Sequence, residues 1–405
     1  MSAMELREFL KDLVVDRSVI DTFLDIHQPN WAVFDPTLGY RLRSSRVRDG
    51  VDDSWTLSTY QSFGERRMVN YAGRRCRIST YGDSFTQCHQ VSDGETWQEY
   101  LAAHFGEPVR NFGIGGYGVY QALLRMRTHE ADPETAGEYV ILNIFDDDHY
   151  RNIDRWRWIR ISGFREEVRG TNPFYFHANP WSHVRIDPMT GQFTERPSLC
   201  PTPESLYGLC DVDFISESFQ DDFVVHCELA KAGGSYDPKV LRATADLLGV
   251  SIDLRDPDKA AEAAEALHTR YALRSSEYVV SLARAFCEER GKKLMVVQSF
   301  GAGNIDRAIK SQERFDADFT SWLEQSGLPR FDLFDAHAED YRQFNLSPPE
   351  YLKRYFIWGF GHYNPTGNHF FAFALKSRLL NWLDPKPMTY LDGGIASAGM
   401  ANLLA

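Results

Sequence analysis

Residues 76–82, CRISTYG, run directly into Asp83, Ser84 and Phe85, and this passage from an apolar run into DSFT decides how the chain is read. An apolar run of strand length, a turn bearing Gly82 and then helical spacing form the opening of a βαβ unit. Working outward, the periodicity predicts a helix over 97–105, a strand at VRNFG (109–113), a helix over 117–127 and a central strand at EYVILNIF (138–145). That last run is nearly all apolar, as a strand covered on both faces requires. The alternation then stops. From about 153 to 272 the chain is aromatic and irregular, with Trp156, Trp158, Phe164, Phe174, Tyr175, Phe176 and Trp181. Within it, Arg155, Arg157 and Arg160 alternate with Trp156 and Trp158 as on a strand with one basic face, and HVRIDPMTGQFTER (183–196) predicts a hairpin. Asp256 and Pro257 cap and open a helix at 258–273. The α/β rhythm resumes with a helix over 275–291 closed by Gly291, a strand at KKLMVVQSF (292–300), a helix over 305–325, a short strand at 331–334 and a last helix over 364–383 begun by Asn364 and Pro365.

The expected fold class is therefore α/β, a three-layer sandwich around a central parallel sheet. Residues 1–75 form an N-terminal extension packing on the core, 76–152 and 273–388 the α/β domain, 153–272 an inserted lid or cap, and 389–405 a C-terminal tail. An insertion of about 120 residues is too long for a plain loop.

With 44 Lys and Arg against 57 Asp and Glu the net charge is −13, which argues against nucleic acid and anionic membranes as partners. Met4, Leu6, Phe9, Leu10 and Leu13 recur on helical spacing among charged residues, not as the apolar core of a signal peptide. No run approaches the ~18 apolar residues of a membrane span. The six cysteines have no CxxC or zinc-like spacing, so the reading is a cytoplasmic protein with free thiols. The acidic balance and small-residue tail are compatible with a homodimer.

Three segments can carry chemistry. Ser84 follows a strand and precedes a helix, which puts its hydroxyl at the carboxyl edge of the sheet, where open α/β sheets bind ligands. NFGIGGYG (111–118) follows the next strand, and its glycines let backbone amides approach a ligand; it lacks the context of a dinucleotide fingerprint. GHYNPTGNHFF (361–371) sets His362 just before a capped helix. Asp146, Asp147, Asp148, His149 and His89 hold metal-ligand chemistry, but adjacent residues at a strand end point alternately, so at most two of the run converge and no metal or other cofactor is expected. Cys88 reads as a packing thiol.

In combination, RISTYGDSFTQC (77–88), VRNFGIGGYGVYQALL (109–124), YVILNIFDDDHYRN (139–152) and HYNPTGNHFFA (362–372) resemble the SGNH (GDSL-type) hydrolase superfamily. The resemblance covers the α/β portions and implies a flavodoxin-like core. It implies Ser84 as nucleophile, His362 as its base, and the amides of Ser84 and Gly116 as oxyanion donors, with Asp83 ordering the turn. Two positions depart from the pattern. Where a third oxyanion donor, an asparagine, is expected stands Asp147, or Asp146 in a register one residue shifted. Such a carboxyl is either kept protonated by burial and a like-charged neighbour such as Asp148, or has another task, pairing with Arg151 or gripping a cationic group. Where an aspartate should precede the histidine stand Gly359 and Phe360, so the imidazole needs another orienting group: the Gly359 carbonyl, Asp335 or Asp332. Asp148, Arg151 and Asn364 are candidate substrate contacts. The implied activity is hydrolysis of a small acyl, acetyl-like ester of a polar small molecule or sugar. The alternatives are acyl transfer on the same scaffold, a non-hydrolytic enzyme, or an inactive ligand-binding protein.

Overall fold

Five strands pair in parallel: β1 (Ile78–Tyr81), β2 (Val109–Asn111), β3 (Tyr139–Phe145), β4 (Lys293–Ser299) and β5 (Arg330–Asp332), of which β3 and β4 are rich in Ile, Val, Leu and Met. Their order across the sheet is β5-β4-β3-β1-β2, with Ile78 opposite both Val109 and Tyr139, and Tyr139 opposite Lys293. The computed structural model describes residues 4–170, 172–254, 256–311, 313–357 and 361–390. The chain divides into two units, Met1–Arg43 with His149–Tyr278 and Ser44–Asp148 with Val279–Ala405. The first 75 residues, expected as one extension, are thus shared between the units.

In the α/β unit six of the seven β3 residues are buried, as a strand with helices over both faces must be. The exception in character is Asn143, which is fully enclosed and donates from Nδ2 to Thr86 Oγ1 at 3.1 Å, tying the segment after β1 to the central strand. Helices α1 (Ser84–Gln87) and α2 (Trp97–Phe105) connect β1 to β2, and α3 (Val119–His129) connects β2 to β3. The α2 helix packs on the last long helix, α4 (Pro365–Trp382), with the Trp97 and Phe371 rings stacked at 4.6 Å. Because the path runs β1 to β2 and then back across to β3, the sheet has a switch point beside β1, and ligands of such sheets bind at its carboxyl edge.

Three elements differ from expectation. The helices expected over 258–273 and 275–291 are one, Pro257–Glu289, closed as foreseen at Gly291: its amide bonds Glu288 O at 3.1 Å and that of Lys292 bonds Cys287 O at 2.8 Å. The helix expected over 305–325 is two, Ala302–Lys310 and Ala317–Gln325. Arg157–Ile159 is a helical turn instead of a strand, so its arginines form no basic strand face.

In the other unit the hairpin pairs His183–Ile186 with Phe193–Arg196 in the expected place. Trp156, Trp158 and Trp181 are fully buried, and their indole N–H groups donate to the carbonyls of Ala178, Leu13 and Asp154 at 2.6, 3.0 and 2.7 Å. They are that unit's own core. Among the described residues no helix is long and apolar enough to cross a membrane.

Candidate active site

The turn after β1 is built by Asp83. As N-cap of α1 it accepts the Phe85 amide on Oδ1 at 2.9 Å and lies 3.1 Å from Ser84 Oγ through Oδ2, so it shapes the turn as expected. Close approach of backbone to backbone fixes what lies beside it. A Cβ on Gly113 would stand 2.2 Å from the Gln87 nitrogen, so only glycine lets the β2 turn seat against α1. The Gly115 amide then donates to Gln87 Oε1 at 2.7 Å, and Gly116 takes φ +84° in the left-handed region. Among the described residues no protein group accepts from the amides of Ser84 or Gly116. Two unspent donors therefore stand at the ends of β1 and β2.

His362 is fixed by its own backbone. Its carbonyl accepts the Ile357 amide at 2.8 Å, and two residues on the Asn364 amide donates to Tyr355 O at 2.9 Å. The imidazole reaches across to Ser84, with Nε2 2.8 Å from Oγ, while Nδ1 lies 2.8 Å from Gln90 Oε1. The orientation of the Gln90 amide follows from its other end, where Nε2 donates to Asp49 O at 2.9 Å. Oε1 is thus the acceptor, Nδ1 carries the proton, and Nε2 keeps the lone pair that receives the serine hydroxyl. The third member of this line is a neutral amide.

Gln90 sits in a segment that would not hold its shape alone. Cys88 (φ 59°) and Gln90 (φ 70°) are both left-handed without being glycine, a conformation that costs of order 1 kcal/mol or more per residue. Arg66, 1 % exposed, compensates by donating to the carbonyls of Gln87 (2.5 Å), Cys88 (2.7 Å) and Val91 (2.5 Å), with Asp93 as its counter-ion at 3.0 Å. Beside Gln90, His89 pairs with Asp49 at 3.3 Å, and its ring centre lies 5.0 Å from that of His362. Burial alone would raise the Asp49 carboxyl, but the bonds from His89 and Thr56 outweigh it and hold the group below its ordinary value. The Cys88 thiol is buried and pushed up to about 12, which suits packing and not reactivity.

Several candidates have other employment. Asp148 is fully buried and accepts the Phe145 amide at 3.0 Å, closing the turn after β3. Asn364 spends its side chain as the α4 cap, accepting from Gly367 N at 2.9 Å and donating to Arg354 O at 3.0 Å. Arg151 is 6 % exposed and belongs to the other unit. Asp335 stands in the first turn of the helix Leu333–Tyr341, beyond the edge strand β5, where it lines a surface concavity with Arg330 and Phe373; the Nδ1 bond goes to Gln90 instead. Asp332 caps that helix and binds Arg314 at 2.8 Å. Gly359 lies outside the described residues.

Asp147 is half-buried in the turn directly after β3. Its neighbour Asp146 turns to β4, accepting from the Gly301 amide at 3.1 Å and from Asn304 Nδ2. Burial pushes the Asp146 carboxyl up to about 7; the Asn304 and Gly301 bonds oppose this, and the charge of Asp147 adds to it. The ordinary value is near 4, so the native state binds the extra proton between about pH 4 and 7, and this group makes stability fall as pH rises through that window. Asp146→Asn has no proton to lose. Its Tm is expected to drop less than that of the wild type between pH 4.5 and 8, by roughly 3 °C or more in thermal melts. Parallel Tm curves for the two proteins would refute the assignment.

No protein-family model and no curated protein matches the chain.

Proposed function

We propose that the protein is a serine acyl hydrolase of the SGNH type, cleaving a small acyl ester of a polar small molecule or sugar through an acyl-Ser84 intermediate. The observation that carries this reading is the line Ser84 Oγ, His362 Nε2, His362 Nδ1, Gln90 Oε1, with both links at 2.8 Å. It meets the geometric requirement for an activated nucleophile, a base within hydrogen-bond reach whose far nitrogen is held by a third group. The sheet order 2-1-3-4-5, counted along the chain, is that of flavodoxin-like folds and supports the same reading.

In the first step Ser84 Oγ attacks the acyl carbon while Nε2 takes its proton. The negative charge formed on the carbonyl oxygen is met by the free amides of Ser84 and Gly116. The imidazolium then gives its proton to the departing alcohol, and water repeats the sequence to release the acid. Asp147 stands where the family pattern has an amide donor, and an ionised carboxylate has no hydrogen to donate. The two backbone amides of Ser84 and Gly116 are the donors on which the oxyanion hole of this proposal is built.

The test is treatment with a fluorophosphonate followed by intact-mass and peptide mass spectrometry. One adduct is expected, on Ser84, absent from Ser84→Ala and formed at least about a hundredfold more slowly by His362→Ala. No adduct with a fluorophosphonate, together with no acetylation of Ser84 by the smaller p-nitrophenyl acetate, would overturn the reading.

A further inference from the structure

The hairpin in the unit without the parallel sheet places His183 directly opposite Arg196, and Arg185 two residues along from His183 on the same face. Arg155 joins them, and the four side chains line an open cavity of about 400 Å³ bounded by Pro197, Ser198 and Leu199. All seven residues belong to that one unit.

The cavity holds more positive charge than its partners neutralise. Asp222 Oδ2 serves two of the arginines at once, at 2.7 Å from Arg185 and 4.0 Å from Arg155, while its Oδ1 is spent capping a helix at the Val224 amide. Its side chain is 2 % exposed, so it lies behind the guanidinium groups. Arg196 has Asp187 at 3.2 Å. Within ion-pair distance three guanidinium groups thus share two carboxylates; Asp154 also acts on Arg185 but is itself paired with Arg160 at 2.8 Å, and Tyr271 accepts from Arg185. His183 registers the resulting field: burial, with Arg185, Arg155 and Arg196 adding, holds its imidazole well below the ordinary value, so it contributes a neutral ring. The rim adds donors, because among the described residues nothing accepts from the amides of Ser198 or Leu199.

From this geometry we propose that the cavity binds a phosphomonoester, its phosphate held by Arg155, Arg185 and Arg196. Planar guanidinium forks match phosphate oxygens in pairs, and a dianion answers a surplus of positive charge better than a single carboxylate does. The volume exceeds what a phosphate fills and falls in the range of small-molecule pockets, leaving room for the organic part of the ligand.

Calorimetric titration at constant ionic strength with inorganic phosphate, phenyl phosphate and acetate tests the site. Saturable binding of both phosphates is expected, phenyl phosphate the tighter, with acetate at least about tenfold weaker. Arg196→Met, a change at a side chain 43 % exposed and therefore tolerated by the fold, is expected to weaken phosphate binding about tenfold or more with an unchanged circular dichroism spectrum. Arg155→Met is expected to do the same. Ser84→Ala is expected to bind as the wild type does, which separates this site from the serine chemistry. No saturation by either phosphate up to about 10 mM, or wild-type affinity in Arg196→Met, would overturn the proposal.

Discussion

Ser84→Ala is expected to lower kcat for p-nitrophenyl acetate by roughly three to four orders of magnitude with little change in KM, and His362→Ala to do nearly as much. The size follows from the division of labour. An alcohol is a poor nucleophile unless its proton leaves as the bond to carbon forms, and at 2.8 Å Nε2 is the base in reach. Removing either partner removes the same step. The double variant should therefore be no slower than the worse single one, because groups acting as a unit are strongly non-additive. The residual rate should come from the free amides of Ser84 and Gly116, which neither substitution touches. Initial rates for the wild type and three variants decide the matter. A double variant slower by the product of the two single losses would mean that serine and histidine act independently, and an active Ser84→Ala would dismiss the nucleophile.

How much of this was legible in the chain depended on whether the determinant was local. β3 and β4 announce themselves because burial on both faces demands nearly uninterrupted apolar runs, while β1 and β2 are marked by the glycine-bearing turns that follow them; Ser84 and Gly116 lie in those turns and His362 beside a capped helix. In the sequence the helix Pro257–Glu289 reads as two, because Ser275 and Ser276 interrupt its apolar pattern. In the structure their hydroxyls bend back to Ala272 O, at 2.6 and 3.4 Å, and meet Asn152 and His149, so the helix continues through them. The sequence points for the partner of His362 to Gly359 just before it, or to Asp335 or Asp332 at the preceding strand end, yet the partner lies six residues after Ser84. Nothing in CHQVSD marks Gln90 as special. Its position depends on two left-handed residues, and these on Arg66, which lies far upstream in a stretch without periodicity. The one available signal was chemical: an arginine in a segment otherwise read as packing on the core has to find several acceptors, and loop carbonyls supply them.

Gln90→Leu is expected to lower kcat by roughly two to three orders of magnitude while KM stays within about twofold. Gln90 does not touch substrate in this scheme; it is a positioning residue, holding the Nδ1 proton so that the lone pair on Nε2 faces the serine. Leucine offers no acceptor, so both tautomers and other ring orientations become populated, and most of them are unproductive. A merely structural glutamine would give the same loss through misfolding, so the decisive variant is Gln90→Glu. It keeps the acceptor and adds a negative charge beside the imidazole, which favours the protonated ring. The acidic limb of the kcat profile should then move to higher pH by about one unit, and the rate on the plateau should rise, because the imidazolium formed during attack gains a charged partner. A cost opposes this, since glutamate has no amide hydrogen for Asp49 O, now 2.9 Å from the Gln90 nitrogen, and sets its charge near the Asp49 carboxylate. That cost falls on folding stability and is read separately by thermal melts. Unmoved pH limbs in a folded Gln90→Glu, or wild-type kcat in Gln90→Leu, would mean that the imidazole is oriented by another group.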